Sequence, residues 1–480
     1  MKKIFFLIFT FVFSSVLSQD GSLDTSFGDN GISFIDFGSD LIHVGGINEF
    51  SDGSYQVVAR RSAAGVGTLL FKFLSDGTLD LSYGDNGIIT YPHTIFELPQ
   101  KTWTVENDKT LLYTEISGVG GAFRRYLNDG SLDTTFGNNG ELNPFPAFPS
   151  DFAAYLNENN KIVFSYRDGL SVIIKVFDLE GNPDTSFGNN GELSISINLN
   201  GLSVTNTYVR PNLDIFLTIH YLENGTRKYA ILKYLENGSL VTSFGDNGEV
   251  TIPSYSDNHY SFNYLSFFED DSILINSESL FGGSAVNRLF KINSSGIYFT
   301  SFGDNGVIQQ YNVGSVIIQP NQRFLSLYRD TGWEFFGGPM YMNRYYAGGD
   351  LDASFQFNTN DVPEVFDVRY LIDSQGNIVV TASEIDGRNL LVFRLNNNPL
   401  NVSDFEANSF TVSPNPSSSE FVINSTFPFE NEYFQVFDMT GKQIKEGFLF
   451  GENPSIDLSH FDTGIYFLKF ENTTAKLVKQ

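Results

Sequence analysis

The sequence predicts an all-β protein: a seven-bladed β-propeller of four-stranded blades, followed by a small C-terminal β-sandwich. Three observations carry this reading. One glycine-rich phrase recurs seven times between residues 20 and 355. The segments between its copies break into short β-branched and aromatic runs bounded by Gly, Asn and Asp, which is how strands are punctuated. Past residue 398 the period stops and a different β-rich pattern begins.

The phrase first reads Asp20-Gly21-Ser22-Leu23-Asp24-Thr25-Ser26-Phe27-Gly28-Asp29-Asn30-Gly31, and returns at Asp76–Gly87 and Asp129–Gly140. Looser copies run Glu180–Gly191, Asn237–Gly248 and Ser295–Gly306, and a worn one is Gly349–Phe355. Its aromatic falls at Phe27, Tyr83, Phe136, Phe187, Phe244, Phe302 and Phe355, at spacings of 56, 53, 51, 57, 58 and 53. Between copies, a middle strand is predicted at Tyr55–Ala59, Thr110–Glu115, Lys161–Ser165, Asp214–Ile219, Ser272–Asn276, Arg323–Tyr328 and Asn377–Ala382. A later strand leads into each next phrase, as at Leu69–Leu74 or Leu390–Leu395. The Asp-Gly and Asn-Gly pairs supply the positive φ angles of tight hairpins. About four short strands per period of roughly fifty residues is the pattern of a propeller blade.

The order of the pieces sharpens the expectation. The chain opens on a phrase with no body before it and ends, at Asn377–Asn398, on a body with no phrase after it. Seven phrases match seven bodies only if the first phrase completes the last blade, a closure that pairs two edges otherwise open to aggregation. An open β-solenoid is the competing fold, but it needs no such permutation. The phrase also resembles the delta-60 repeat of exported bacterial proteins. That resemblance covers most of residues 20–400 and implies an architecture without a settled activity.

Within the phrase, the aromatics read as wedges between neighbouring blades. Asp24, Asp29 and their repeats read as turn caps that bond their own backbone. Calcium held by the same clustered oxygens is the competing reading, although no copy has the spaced acidic loop of an EF-hand.

The N-terminus has the form of a secretory signal peptide, residues 1–18: Lys2 and Lys3, an apolar run Ile4–Phe13, then Val16-Leu17-Ser18 before Gln19. The apolar run is shorter than the ~20 residues that span a bilayer, so no membrane span is expected after cleavage. Without Lys2 and Lys3, 27 basic residues face 56 acidic ones, a net charge of 27 − 56 = −29. Such a chain is repelled by nucleic acid and by anionic membrane surfaces. It has no cysteine, which excludes disulfides, thiolate metal sites and cysteine nucleophiles. An exported chain without disulfides fits a bacterium.

Residues 399–407 read as a linker, and 408–480 as a separate domain. Its residues Phe410–Pro416, with Pro414, Asn415 and Pro416, come first. Asp438, Gly441 and Lys442 follow, then Gly464 and Tyr466 within Leu458–Phe470, and Lys476 near the end. These motifs, in this order, resemble the C-terminal sorting domain of type IX secretion cargo in its "type A" form. The resemblance implies a small β-sandwich recognised by an outer-membrane export machine, and a cargo that is released or attached to surface lipopolysaccharide. It further implies a Gram-negative bacterium of the Bacteroidetes type. An ordinary adhesive sandwich is the bland alternative.

Catalytic signatures are lacking. His43, His93, His220, His259 and His460 are scattered, with no His-Glu-x-x-His spacing. No nucleophile elbow, phosphate loop or dinucleotide fingerprint appears, and Gly118-Val119-Gly120-Gly121 reads as a turn. Trp103, Trp333 and Tyr345-Tyr346 offer sugar-stacking surfaces but read first as blade packing. The expectation is a secreted or surface propeller that binds an extracellular glycan or protein without catalysis or a resident cofactor. Its alternative is a polysaccharide-active enzyme with paired carboxylates in the channel.

Overall fold

The computed structural model describes residues 19–38, 41–61, 67–91, 97–116, 120–145, 150–253, 261–281, 284–311, 314–329, 338–385, 387–397, 411–424, 429–439, 441–451, 453–470 and 473–480. The predicted signal peptide and linker lie outside them. The chain divides into two compact units, Met1–Pro399 and Leu400–Gln480. Both are all-β, with only two 3-10 turns, Glu106–Asp108 and Thr359–Asp361, among the described residues.

The first unit is a succession of antiparallel sheets, numbered here in chain order. Sheet 1 is a meander of Ile42–Glu49, Tyr55–Arg61, Thr68–Phe73 and Ile88–Tyr91. Sheets 2 to 5 repeat that four-stranded plan, opening with Glu97–Val105, Ser150–Leu156, Ser203–Val209 and Ser261–Phe267. Sheet 6 holds Gly314–Ile318, Phe324–Arg329 and Met340–Tyr345. Sheet 7 holds Val365–Ile372, Ile378–Glu384 and Asn389–Leu395, and takes its fourth strand, Ile32–Asp36, from the start of the chain. The register runs from Ile32 opposite Phe393 to Asp36 opposite Asn389. The predicted closure by the first phrase is therefore present in the strand pairing.

One expectation needs correction. Sheet 6 has three strands among the described residues, not four. The cause lies in the worn phrase. After Phe27 the run Gly28-Asp29-Asn30-Gly31 turns the chain back, with Asn30 at φ 53° and Gly31 at φ 103°. After Phe355 stand Gln356 and Phe357, and the chain runs on to the Thr359–Asp361 turn without reversing.

Each sheet shares an apolar core with the next, and one phrase aromatic sits in every such core. Phe27 lies between sheets 7 and 1, Tyr83 between 1 and 2, Phe136 between 2 and 3, and Phe187 between 3 and 4. Phe244, Phe302 and Phe355 continue the series between 4 and 5, 5 and 6, and 6 and 7. All seven are at most 7% exposed. A buried aromatic removes some 150–250 Å² from water, so these rings dominate the seams. The blade-like arrangement fits a propeller.

The phrases also touch one another directly. The amide after the aromatic donates to the following phrase: Gly28 to Asp76 O (2.6 Å), Gly137 to Glu180 O (3.0 Å), Gly245 to Ser295 O (2.8 Å), Gly303 to Gly348 O (3.2 Å) and Gln356 to Asp20 O (2.8 Å). The approach explains the second residue of the phrase. A Cβ on Gly77 would stand 2.7 Å from the Phe27 ring, and Gly77 has φ +85°. Only glycine fits there without strain.

In the second unit, Thr411–Ser413, Glu420–Asn424 and Ser455–Asp457 form one antiparallel sheet. Phe429–Asp438, Gln443–Gly451, Gly464–Phe470 and Thr473–Lys479 form another. Phe421 and Ile423 of the first share a core with Val436, Leu449, Leu468 and Leu477 of the second.

Candidate functional site

The first strand of each sheet in the first unit pairs on one side only, which leaves its other edge without a strand partner among the described residues. These strands neighbour one another. Ile42–Glu49 packs beside both Glu97–Val105 and Val365–Ile372, and Ser203–Val209 beside both Ser150–Leu156 and Ser261–Phe267. Tyrosines tie them: Tyr208 Oη accepts from Leu265 N (2.9 Å), and Tyr370 Oη donates to Ser315 O (3.1 Å).

Register defines one level of this axial row. Gly46, Lys101, Ala153, Asn206, Tyr264, Ser315 and Arg369 stand opposite equivalent second-strand positions, Val58, Tyr113, Ser165, Thr218, Asn276, Leu327 and Thr381. In five of the seven sheets a β-bulge lies just before that level, and bulges re-aim the side chains that follow. The next residues along, such as Ile47, Ala154 and Leu265, enter the inter-sheet cores. The level itself stays wet: Lys101 and Ser315 are exposed, and Tyr264 is 45% exposed.

Its electrostatics are unusual for so acidic a chain. Although water reaches Lys101, desolvation by the protein around it and then the positive charge of Arg369 hold it below the ordinary lysine range. Arg369 is lowered by burial, with Asp367 acting against the shift. Arg369 Nη1 donates to Val368 O (2.8 Å). Asp367 faces His43 instead, Oδ2 to Nδ1 at 3.0 Å. Burial raises the Glu278 carboxyl, and burial followed by Glu278 raises the Tyr264 phenol. Near the start of the row Asp151 accepts from Arg167 Nε (2.5 Å), Ser203 Oγ (3.1 Å) and Val204 N (3.2 Å).

The phrase carboxylates are occupied with structure. Asp24 Oδ1 accepts from the amide (3.0 Å) and hydroxyl (2.6 Å) of Ser26, and its Oδ2 from Arg394 (2.8 Å). Asp80, Asp133, Asp184 and Asp352 cap the same turn. Burial alone would raise Asp24, but Ser26 and Arg394 outweigh it and hold the carboxyl below the usual range. Sequence reasoning missed the bases. Arg125 pairs with Asp133 (2.8 Å) and with Glu180 of the next phrase (2.7 Å); Arg344 pairs with Asp352 (2.5 Å) and with Asp20 (2.8 Å). Each guanidinium also lies over its phrase ring, 5.1 Å from Phe136 and 5.0 Å from Phe355.

The other singled-out residues divide. His220 lies against Tyr229, 5.7 Å between ring centroids, and burial then Arg227 lowers its pKa. His460 is in the second unit, and His93, His259 and Trp333 lie outside the described residues. Trp103 packs on Phe123 at 5.7 Å, and Tyr345 is stacked on Phe324 at 5.1 Å; Tyr346 is 38% exposed beside Arg323. Gly120 and Gly121, read as part of a turn, open a strand instead, because Gly121 sits directly against the Tyr113 ring. The closure seam carries an open groove lined by Ser22, Asp24, Asn30, Asp361 and Asn396. Among the described residues no three His, Asp or Glu side chains are grouped to hold a metal.

The tail motifs converge in pairs. Asn415, between Pro414 and Pro416, donates to Lys476 O (2.6 Å) and accepts from Val478 N (2.8 Å). Asp438 caps its hairpin by accepting from the amides of Gly441 (3.0 Å) and Lys442 (3.1 Å). It also stands opposite Tyr466, whose hydroxyl donates to Asp462 O (2.7 Å), while Gly464 pairs with Lys479.

Residues 411–480 match the secretion system C-terminal sorting domain family. The protein is thus an exported β protein with a C-terminal sorting domain. It engages the type IX export machinery and is released or attached at the outer cell surface. No helix among the described residues is long and apolar enough to cross a membrane.

Among curated proteins, none matches the sequence. Solved structures similar to the chain include PorZ, an essential bacterial surface component of the type IX secretion system of Porphyromonas gingivalis. It is 12% identical at a TM-score of 0.39, covering 90% of this chain and 59% of that one. The chain therefore spans less than two thirds of the PorZ length. A polysaccharide lyase of family PL25, an ulvan lyase, is 10% identical at a TM-score of 0.45, covering 76% and 96%. Drosophila Plexin A is 7% identical at 0.36, covering 77% and 88%. At these values the likenesses carry no functional argument.

Proposed function

We propose that the mature chain is a seven-bladed β-propeller of the delta-60 repeat type, residues 19–398. A linker, 399–407, and a sandwich-like sorting domain, 408–480, follow it, after a cleaved signal peptide, 1–18. On this reading the propeller is a non-catalytic binding module for an extracellular glycan or protein, exported by a bacterium of the Bacteroidetes type.

One observation supports the reading above the others: the frame repeats while the axial row varies. Every phrase spends its aromatic and its glycine on the seams, and five of the seven add a capping aspartate, whereas the axial level reads Gly, Lys, Ala, Asn, Tyr, Ser and Arg. A constant scaffold presenting unlike side chains at one place is how recognition is built on a repeat. Residues Pro414–Pro416, Asp438, Gly441, Lys442, Gly464, Tyr466 and Lys476 are then the address, not the binding site.

The test is to incubate residues 19–480 with a library of extracellular polysaccharides and proteins, scoring retention and product release together. Retention without product is expected. Loss of all retention would sink the binding reading. Product release would favour the alternative, an enzyme, for which the raised Glu278 carboxyl beside Tyr264 is the supporting observation.

A further inference from the structure

Most positive charge in the first unit is spent on carboxylates. Arg125, Arg323, Arg344 and Arg394 all pair with aspartates, as do Lys109, Lys161 and Lys233. Lys101 is different, having no carboxylate or hydrogen-bond acceptor among the described residues. Its charged neighbour is another cation, Arg369, whose one direct bond among the described residues is to a backbone carbonyl.

The placement brings these two together. Lys101 and Arg369 occupy the same register level on the first strands of sheets 2 and 7, the two strands that flank the first strand of sheet 1. Between them, at that level, sheet 1 carries Gly46. A side chain there would collide with Thr102, since a Cβ would lie 2.2 Å from its methyl group. Gly46 therefore adds no side chain of its own at that level, and the Thr102 methyl takes the place its Cβ would fill. The nearby carboxylate, Asp367, is turned to His43 at 3.0 Å, and Asp151 is held by Arg167. Asp367 offsets part of the Arg369 charge, but Lys101 has no counter-ion among the described residues, and the repulsion between the two cations is a cost that a bound anion reverses.

We propose that Lys101 and Arg369, across Gly46, form an anion-binding site at the axis, for a carboxylate or sulfate group. Its source is either a free anion or the acidic sugar of an extracellular glycan. The exposed Tyr264 ring at the same level provides a stacking face that a sugar would use and a free ion would not. The inference rests on the binding-module reading and adds a ligand class to it. It also resolves an oddity: a chain of net charge −27 is a poor general partner for polyanions, but a recessed positive site admits one anionic group locally.

Calorimetric titration of residues 19–480 with a galacturonate hexamer, a neutral cellohexaose and inorganic sulfate tests this. Hexamer binding is expected, weakening with salt, and cellohexaose is expected not to bind. K101M and R369M each remove a charge-assisted contact and are expected to weaken binding about tenfold or more. K101R is expected to retain it, and thermal melting checks that all variants fold. Sulfate binding that needs both residues, without hexamer binding, assigns the site to a free anion. If neither anion binds the folded wild type, the proposal is overturned. If the hexamer binds equally to wild type, K101M and R369M, the axial site is overturned while the binding-module reading stands. A library screen with no retained ligand fails that reading separately.

Discussion

The third phrase, Asp129–Gly140, and the seventh, Gly349–Phe355, do the same job with different completeness. Both bury their aromatic in a seam, cap with an aspartate, and bind that aspartate to an arginine lying over the ring. Both pass a backbone hydrogen bond to the next phrase, from Gly137 to Glu180 and from Gln356 to Asp20. Only the third goes on through Gly137-Asn138-Asn139-Gly140 to a fourth strand, Glu141–Leu142. The difference separates two functions that the sequence prints as one motif. The glycine turn makes the outer strand; the aromatic, aspartate and arginine make the ring.

That separation is breakable in graded ways. Phe136→Ala and Phe355→Ala should each cost about 3–5 kcal/mol, the range for a buried aromatic truncated to alanine. Urea denaturation measures both, and a much smaller loss at Phe355 would mean the worn copy is a bystander. Arg344→Met removes one of the two arginines that hold Asp352, which is 1% exposed, and leaves Arg323 in place; a loss of about 1.5–3 kcal/mol is expected by the same measurement, as for a hydrogen bond to a charged group. Gly77→Ala meets the Phe27 ring at a positive φ, and a loss of about 1–3 kcal/mol is expected.

Acid should act on the same latches. Asp24, Asp184 and Asp352 have pKa values lowered in the folded chain, so on acidification the unfolded chain takes up protons first. Their stabilisation is complete above the ordinary aspartate value of about 4 and is lost as pH falls below it. Melting temperature against pH should drop below about pH 4, and Arg344→Met should flatten that drop. Smallest of all, Gln356→Gly should change stability by no more than about 0.5 kcal/mol. The latch at this position uses the Gln356 backbone amide, and a lone glycine cannot rebuild the turn.

Much of the frame was legible in the sequence. The spacing of Phe27 to Phe355 gave the sheets their number and order, because one aromatic per seam has to recur with the seam. Closure was legible from arithmetic, as a phrase without a body and a body without a phrase. The Arg–Asp latches were readable in principle: Arg125 and Arg344 each stand eight residues before their aspartate. They were overlooked because lysines and arginines elsewhere in the same strands have other partners. The missing strand of sheet 6 left one mark, Gln356 in place of glycine. The axial pair left none. Lys101 and Arg369 are far apart in sequence and belong to no shared motif, so only the fold brings them to the two strands that flank Ile42–Glu49.

The account stands on the pairing of Ile32–Asp36 with Asn389–Leu395. The chain has no cysteine, so Asp36→Cys with Asn389→Cys introduces a single reporter pair at opposed positions of that ladder. Facing residues in an antiparallel pair lie about 4.5–5.5 Å apart at Cα, within disulfide reach. Mild oxidation of the folded double variant should cross-link it nearly completely within one molecule and raise its melting temperature. Free thiols persisting in the folded protein, or cross-links only between molecules, would contradict a ring closed by its own N-terminal strand.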